Sequence, residues 1–301
     1  IRLSLVGSEM CIRDRQSPER GTCLACPIKS PRHKTIQDTT SEQDDRIDWG
    51  KTSADYAKHR PGPPPSFYQR LWALGIGLPR QKVLDLATGT GVIARQRATQ
   101  GSDVMASDIS GEQVRMASEL ARMQGLKIGF QVAPADETQA ADSSIDVVTA
   151  NQCFLYFDTP RVLASLQRWL RPKGVLVISH FSWLPGVDPI AKASEALILQ
   201  HNPNWQGAHY RGGTGPRYPG VTPAMHYCGY FYYDKEIAFT REAWMGRIRA
   251  SRGIGATLDE KQVLSFDAEH EALLKYIAEP EFTITHRIDA HILKLGPVET
   301  D

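Results

Sequence analysis

Through the middle of the chain, short apolar runs alternate with segments in which apolar residues recur at helical spacing. This pattern predicts alternating strands and helices. Five short apolar runs have the length of buried strands: Val83–Leu86, Val104–Asp108, Ile128–Val132, Ser144–Ala150 and Val175–Ser179. Between them, apolar residues recur at helical spacing, as in Val114, Ala117, Leu120 and Ala121. This alternation favours an α/β fold with a doubly wound parallel sheet.

The pattern changes after His180. A helical period covers Asp188–Gln200, but residues 201–229 show no period and are rich in glycine and aromatic residues. Long irregular segments inside a domain are usually functional or disordered, and aromatic content argues against disorder. We therefore predict that residues 184–229 are an inserted, partly helical and aromatic lid over a substrate site.

The last third of the chain returns to regular periods. Tyr232–Phe239 has the pattern of a strand, and it is followed by a helix that holds Trp244 and by a second helix over Leu258–Ile277. Phe282–Leu295 alternates between apolar and polar residues, as a strand with one solvated face does. We predict that these two strands close the sheet as an antiparallel hairpin.

Residues 1–45 are predicted to be a disordered or artefactual tail, because they lack any apolar period before Trp49. The stretch Glu9–Arg15 resembles a translated sequencing-library adapter, so Ile1–Arg15 is predicted to be an assembly artefact. Cys23 and Cys26 have the spacing of a metal-binding pair, but no two further ligands lie nearby. No metal site is predicted.

Charge and cysteine content narrow the classes of partner. The 301 residues include 35 Lys and Arg against 34 Asp and Glu, which gives no bulk attraction to nucleic acid or anionic lipid. No apolar run approaches the roughly 18 residues of a membrane span. The 5 cysteines are scattered, which favours a reducing compartment. We expect a cytoplasmic protein, monomeric or homodimeric, with neither nucleic acid nor a membrane as its partner.

The first strand leads into a glycine-rich turn that carries the candidate chemistry. Gly89 and Gly91 allow the backbone to turn sharply and a ligand to approach the N–H groups at the start of the next helix. With Ala94 they fit the dinucleotide fingerprint G-x-G-x-x-A, which is a weak signal alone. Asp108 ends the second strand, where a carboxylate can accept both ribose hydroxyls of an adenosine. This feature does not separate S-adenosylmethionine (SAM) from NAD.

The stretch Asp85–Gly91 resembles motif I of the class I SAM-dependent methyltransferases, with Ala87 in the first glycine position. An alanine there is acceptable only if its φ is negative. Leu170–Gly174 before an apolar strand and the loop Ala133–Glu137 are similar to further segments of the family. The resemblance is greatest to the ubiquinone-biosynthesis and trans-aconitate methyltransferase groups, with a methyltransferase type 11 domain. It implies a Rossmann-like domain over 46–297, with sheet order 3-2-1-4-5-7-6 and strand 7 antiparallel.

The resemblance implies that the protein transfers a methyl group from SAM to a small-molecule acceptor, and it also implies where SAM binds. Tyr56 and Arg60 would contact its carboxylate, Ile109 would lie against adenine, and Asp136 would bind the adenine amino group. The complete set of predicted cofactor-binding residues is Tyr56, Arg60, Asp85, Ala87, Gly89, Gly91, Asp108, Ile109, Gln113, Ala135, Asp136 and Asn151.

Candidates for the transfer step lie where the carboxyl edge of the sheet meets the predicted lid. His180 is the one candidate whose ordinary pKa suits proton removal near pH 7, and Tyr156 would orient the acceptor. Trp183 and Arg247 are predicted to line the substrate pocket, and Cys153 is predicted to be a packed thiol.

Two alternatives to methyl transfer stay open at this point. An NAD(P)-dependent oxidoreductase would need a hydride-transfer site, and no Tyr-x-x-x-Lys pair follows the fourth strand. A protein that binds SAM without transferring its methyl group would share every feature described above.

Overall fold

A seven-stranded mixed sheet organises the protein, in the order β3-β2-β1-β4-β5-β7-β6. The computed structural model describes residues 49–213, 218 and 225–296, apart from the side chains of residues 49, 54 and 56. Strands β1 to β5 pair in parallel, and β7 is antiparallel to both β5 and β6. The predicted fold class, strand order and direction of strand 7 are confirmed.

The strands and helices alternate up to β5, as predicted. The strands are β1 (Lys82–Leu86), β2 (Asp103–Asp108), β3 (Ile128–Val132), β4 (Ile145–Asn151), β5 (Leu170–Trp183), β6 (Met225–Thr240) and β7 (Glu281–Leu295). The helices are α1 (Ser53–His59), α2 (Pro65–Ala73), α3 (Val92–Thr99), α4 (Gly111–Met123), α5 (Thr159–Trp169), α6 (Pro189–His201), α7 (Arg241–Arg249) and α8 (Glu260–Ile277). Short 3-10 turns occur at Trp49–Thr52, Ala135–Glu137 and Phe154–Tyr156.

The central strands are buried on both faces, because side chains alternate across a strand and helices cover both sides. In β1, Val83 packs with Leu71 and Ile93 on one face, whereas Leu84 packs with Leu166 on the other. A third apolar cluster joins α6, α7 and α8 to the far end of the sheet, around Trp183, Trp244 and Phe266. Burial on both faces explains why these strands appear in the sequence as continuous apolar runs.

The prediction of the fifth strand was too short. It ended at Ser179, but β5 continues to Trp183 because β7 pairs with it along its whole second half, from Val175 opposite Lys294 to Trp183 opposite His286. His180 therefore lies inside a strand, directly opposite Asp289.

The sixth strand was also predicted too short. Strand β6 begins at Met225, so the last five residues of the predicted lid, 225–229, belong to the sheet. The division into a tail (1–45) and a domain (46–297) stays a prediction, since residues 1–48, with Cys23 and Cys26, lie outside the described residues. Across the part that the structure describes, no helix is both long and apolar enough to span a bilayer.

Candidate functional site

A cavity of about 350 Å³ opens at the carboxyl ends of β1, β2 and β4. This is the edge at which open α/β sheets bind ligands, and the volume is that of a small-molecule site. The cavity is lined by Arg60, Ala87, Gly89, Asp108, Ile109, Gln113, Ala133, Pro134, Ala135, Asp136, Asn151, Gln152, Cys153, Tyr156, Phe157 and Asp158. Most of the predicted cofactor-binding residues therefore lie together.

The Asp108 carboxylate is held in place by the backbone. Its Oδ2 accepts a hydrogen bond from Gly89 N at 2.8 Å, and its Oδ1 accepts one from Ser110 N at 2.9 Å. A carboxylate has about four acceptor positions, so two remain for donors of a ligand. Burial raises the pKa of Asp108, while the two backbone donors act against that rise. Ile109 beside it is 67% exposed, which leaves an apolar surface for a flat ring.

Asp85 does not line the cavity, and its carboxylate accepts hydrogen bonds from other side chains of the protein. Its Oδ2 accepts the hydroxyl of Thr88 and its Oδ1 that of Thr149, both at 2.5 Å. Burial raises the pKa of Asp85 to about 6, although both hydroxyls favour the charged form. A ligand ammonium is therefore not required to pair with this carboxylate, and its predicted direct role toward SAM stays a prediction.

The expectation of a negative φ at Ala87 was wrong. Ala87 has φ 48°, in the left-handed region that glycine occupies without a steric penalty. Gly89 and Gly91 also have positive φ, of 57° and 77°. A Cβ on Gly91 would lie 3.1 Å from Ala117 Cβ, so glycine there also permits α3 and α4 to approach. The turn thus holds three residues with positive φ, and the first of them is an alanine.

Replacing Ala87 by glycine is expected to raise the free energy of unfolding by about 0.5–1 kcal/mol. The left-handed conformation costs an alanine about 1–2 kcal/mol, and the extra entropy of an unfolded glycine cancels about 0.5–1 kcal/mol of the gain. Urea denaturation measures this change. Ala98→Gly, in helix α3, is the control and should destabilise the protein; a loss of stability in Ala87→Gly would contradict the expectation.

Two further lining residues, Asp136 and Tyr156, contact arginine side chains. Asp136 Oδ2 lies 2.7 Å from Arg161 Nε, so the residue predicted to bind adenine holds an ion pair with α5. The Arg252 guanidinium lies over the Tyr156 ring, 5.4 Å from its centroid. Arg252 was not among the predicted site residues, because it is far from Tyr156 in the sequence. Cys153 is buried, and burial raises the pKa of its thiol, as a packed thiol requires.

His180 does not line the cavity but joins a buried polar cluster beside it. Its Nδ1 lies 2.7 Å from Asp289 Oδ1, and its Nε2 lies 2.7 Å from the Tyr218 hydroxyl. Asp289 is fully buried, and its Oδ1 also lies 3.4 Å from His291 Nε2. The Tyr227 hydroxyl lies 3.4 Å from His291 Nδ1. No sequence pattern pointed to Asp289, His291 or Tyr218.

Three potential metal ligands thus converge in the described part of the chain, on His180, Asp289 and His291, with ligand atoms within 4.8 Å of one another. The 2.7 Å between His180 Nδ1 and Asp289 Oδ1 is a hydrogen-bond distance. Two ligands of a tetrahedral zinc ion, each about 2.0–2.1 Å from the metal, would lie about 3.3 Å apart. The geometry is that of a hydrogen-bonded cluster.

The two residues predicted for the substrate pocket lie elsewhere. Trp183 and Arg247 are both buried, and the Arg247 guanidinium lies over the Trp183 ring, 4.8 Å from its centroid. Trp183 Nε1 donates to Glu195 of α6 at 3.1 Å. Because β5 runs on to Trp183, these side chains belong to the core among α6, α7 and α8 rather than to the cavity. The side chain of Tyr56 lies outside the described residues.

The chain matches known methyltransferases in sequence. Residues 84–178 match the family described as "Methyltransferase domain". The chain is 38% identical over 129 residues to the ubiquinone/menaquinone biosynthesis C-methyltransferase UbiE of Acidiphilium cryptum (strain JF-5), covering 38% of this chain and 50% of that protein. It is 27% identical over 187 residues to methyltransferase GfsG of Streptomyces halstedii, covering 54% of this chain and 67% of that protein. The chain thus spans half to two thirds of the length of these relatives.

The fold is shared with solved structures. A protein of Anaeromyxobacter dehalogenans assigned as a type II methyltransferase superposes with a TM-score of 0.57 and 23% identity, covering 79% of this chain and 99% of that one. This likeness extends beyond the matched domain and includes most of the described residues.

Proposed function

We propose that this chain, whose sheet and matched domain are those of the class I SAM-dependent methyltransferases, transfers a methyl group from SAM to a small molecule. The observation that carries the proposal is the Asp108 carboxylate in the lining of the cavity. Two backbone N–H groups fix it, two of its acceptor positions are left for ligand hydroxyls, and the exposed Ile109 adjoins it. That arrangement suits the ribose and adenine of SAM.

The residues of the cavity also suit the rest of the cofactor. Gly89 and the start of α3 let a ligand approach the backbone closely, and Arg60 supplies a cation for a carboxylate at the cavity wall. Asn151 accepts a hydrogen bond from Ser179 at 3.0 Å, which orients its side chain at the end of β4. When bound, SAM supplies an electrophilic methyl group. The chain then has to position the acceptor and exclude water, which can account for much of the acceleration.

Isothermal titration of the full chain with SAM, S-adenosylhomocysteine and NAD tests the cofactor. We expect SAM and S-adenosylhomocysteine to bind and NAD to bind more weakly, because a cavity of about 350 Å³ leaves little room for the second nucleotide of NAD. Tighter binding of NAD than of SAM would overturn the proposal. Methyl transfer from labelled SAM into a small-molecule extract then separates an enzyme from a protein that only binds SAM.

A further inference from the structure

We propose that the methyl acceptor of this protein is a primary or secondary amine and that Gln152 binds its reacting nitrogen. The inference rests on the proposed function and adds its acceptor class. Gln152 directly follows the last residue of β4 and lines the cavity. Its side-chain oxygen accepts a hydrogen bond from the N–H of the amine while the nitrogen lone pair attacks the methyl carbon.

The backbone of Gln152 has a conformation that few residues with a Cβ adopt. Its φ is 62°, in the left-handed region, where the Cβ comes too close to the following carbonyl oxygen. Its N–H donates to Ser179 O of β5 at 2.8 Å, which fixes the backbone there. Among the described residues, Ala87 and Gln152 are the non-glycine members of the cavity lining with positive φ. Strained residues of this kind concentrate at functional sites, where the fold holds a side chain in a required place.

The orientation of the Gln152 carboxamide follows from its contact with β5. Its Nε2 donates to the backbone carbonyl of Phe181. A carbonyl oxygen only accepts hydrogen bonds, so the amide nitrogen faces Phe181 and Oε1 lies on the other branch of the carboxamide. Across the described part of the chain, no group donates to this oxygen. Because Gln152 lines the cavity, Oε1 is an acceptor for a ligand.

Other polar side chains of the lining already have partners within the protein. Asn151 Oδ1 accepts a hydrogen bond from β5 at 3.0 Å. Asp158 Oδ1 accepts the backbone N–H of Arg161 at 3.2 Å, and Asp136 forms an ion pair with the Arg161 side chain. Gln152 differs from these three residues in keeping a hydrogen-bond acceptor for a ligand.

Gln152 lies close to the place that the proposed function gives to the methyl group. The sulfur of SAM is bonded to the exocyclic carbon of the ribose, so with the ribose at Asp108 it lies near the glycine turn that follows β1. In the sheet, β1 lies between β2 and β4. The strand end on the far side of this turn from Asp108 is therefore that of β4, which leads directly into Gln152.

A carboxamide oxygen selects nitrogen over oxygen at the reacting atom. That atom has to offer a lone pair to the methyl group and a hydrogen to Gln152 at the same time, and a primary or secondary amine does both. A hydroxyl becomes a strong nucleophile only when it has lost its one proton. The resulting oxyanion has no hydrogen to donate, and its charge would face the negative end of the carboxamide dipole.

The transfer balances without a base in the protein. The nitrogen lone pair forms the bond to the methyl carbon, and the carbon–sulfur bond breaks with its electron pair on sulfur. The positive charge moves from sulfur to nitrogen, and the ammonium product then loses a proton to solvent. Gln152 takes no proton, and its contribution is to hold the amine in line with the bond that breaks.

The acceptor class is tested with an extract of small metabolites and labelled SAM. Formaldehyde with cyanoborohydride converts the primary and secondary amines of the extract to tertiary amines and leaves its hydroxyl groups intact. We expect the full chain to transfer label to the untreated extract and to lose most of this transfer after the treatment. Extract treated with cyanoborohydride alone is the control and should keep its full transfer.

The role of Gln152 is tested with Gln152→Met, which keeps the length of the side chain and removes its polar atoms. We expect the initial rate at low extract concentration to fall about 10-fold, because the amine N–H loses its partner. The affinity for S-adenosylhomocysteine should stay that of the parent. Gln167→Met is the matched control, since Gln167 is exposed on α5. Gln152→Gly relieves the positive φ and serves as the second variant if Gln152→Met does not fold.

The possible failures can be told apart. Full transfer to the amine-capped extract would overturn the acceptor class and leave the proposed function standing, and a full rate in Gln152→Met would overturn the role of Gln152. An equal loss of affinity for S-adenosylhomocysteine in Gln152→Met would give the hydrogen bond to the ammonium of the cofactor and overturn the contact with the acceptor. Failure of the wild-type protein to bind SAM, or to label any compound of the untreated extract, would instead remove the proposed function.

Discussion

Replacement of Asp108 by alanine is expected to weaken SAM binding by about 10- to 150-fold. A hydrogen bond to a charged group contributes about 1.5–3 kcal/mol, and each 1.4 kcal/mol corresponds to a factor of about ten in affinity. The carboxylate is held by Gly89 N and Ser110 N, so it meets the ligand without a large entropy cost. Its loss removes the acceptor for the ribose hydroxyls.

Isothermal titration with S-adenosylhomocysteine measures this change without the complication of turnover. Asp103→Ala is the matched control, because Asp103 is exposed at the opposite end of the same strand, β2. The control should bind like the parent protein. A folded Asp108→Ala variant with the affinity of the parent would show that the ribose does not reach Asp108, and the site would have to be assigned elsewhere.

Replacement of Asp85 by asparagine is expected to raise the free energy of unfolding of the ligand-free protein at pH 7 by about 1–3 kcal/mol. Burial raises the pKa of Asp85 from 3.8 to about 6. Above pH 6 the buried carboxylate is charged, and this charge lowers the free energy of unfolding. This rise in the pKa of Asp85, from 3.8 to about 6, corresponds to about 3 kcal/mol. Asparagine removes the charge and can still bond both Thr88 and Thr149.

The sign of the pH dependence follows from proton binding. Between about pH 4 and pH 6, Asp85 binds more protons in the folded than in the unfolded chain. The free energy of unfolding therefore falls as the pH rises through this window, and the contribution of Asp85 is most favourable below pH 4. The advantage of Asp85→Asn should be near zero at pH 4, grow up to about pH 6 and stay constant above it.

Urea denaturation of the parent, Asp85→Asn and Asp142→Asn at several pH values measures these differences. Asp142 is exposed in the loop before β4, so its variant controls for the loss of one carboxylate. An advantage of Asp85→Asn that is the same at pH 4 and pH 7 would contradict a charge-based origin. The comparison is made without SAM, because a ligand that binds the folded state would add its own stabilisation.

Local patterns in the sequence determined most of the sheet. Strands β1, β2 and β4 are largely buried, so their apolar runs stand out without any knowledge of their neighbours. The turn at Gly89 and Gly91 and the acid at the tip of β2 are features of single connections. Their spacing predicted a nucleotide site, and in the structure Gly89 and Asp108 line the same cavity. The order of the strands followed from the family resemblance, since no local pattern encodes it.

The φ angle of Ala87 and the end of strand β5 depended on neighbouring parts of the fold. The sequence favoured a negative φ at Ala87, yet the turn imposes a positive φ because the flanking strand and helix fix its two ends. Strand β5 extends to Trp183 only because β7 supplies hydrogen-bonding partners there, and those partners follow it by about a hundred residues. The same extension carries Trp183 into the helical core, where it meets Arg247.

The sequence by itself therefore determined the turn at Gly89 that lines the cavity, because a strand, a tight turn and a helix start are contiguous in the chain. Only the tertiary structure decided the environment of His180. Its partners Asp289 and Tyr218 lie 109 and 38 residues away, and the antiparallel pairing of β7 with β5 sets Asp289 opposite it. Contacts between side chains of separate strands and loops form only when the chain packs. No period or spacing in the sequence predicts them.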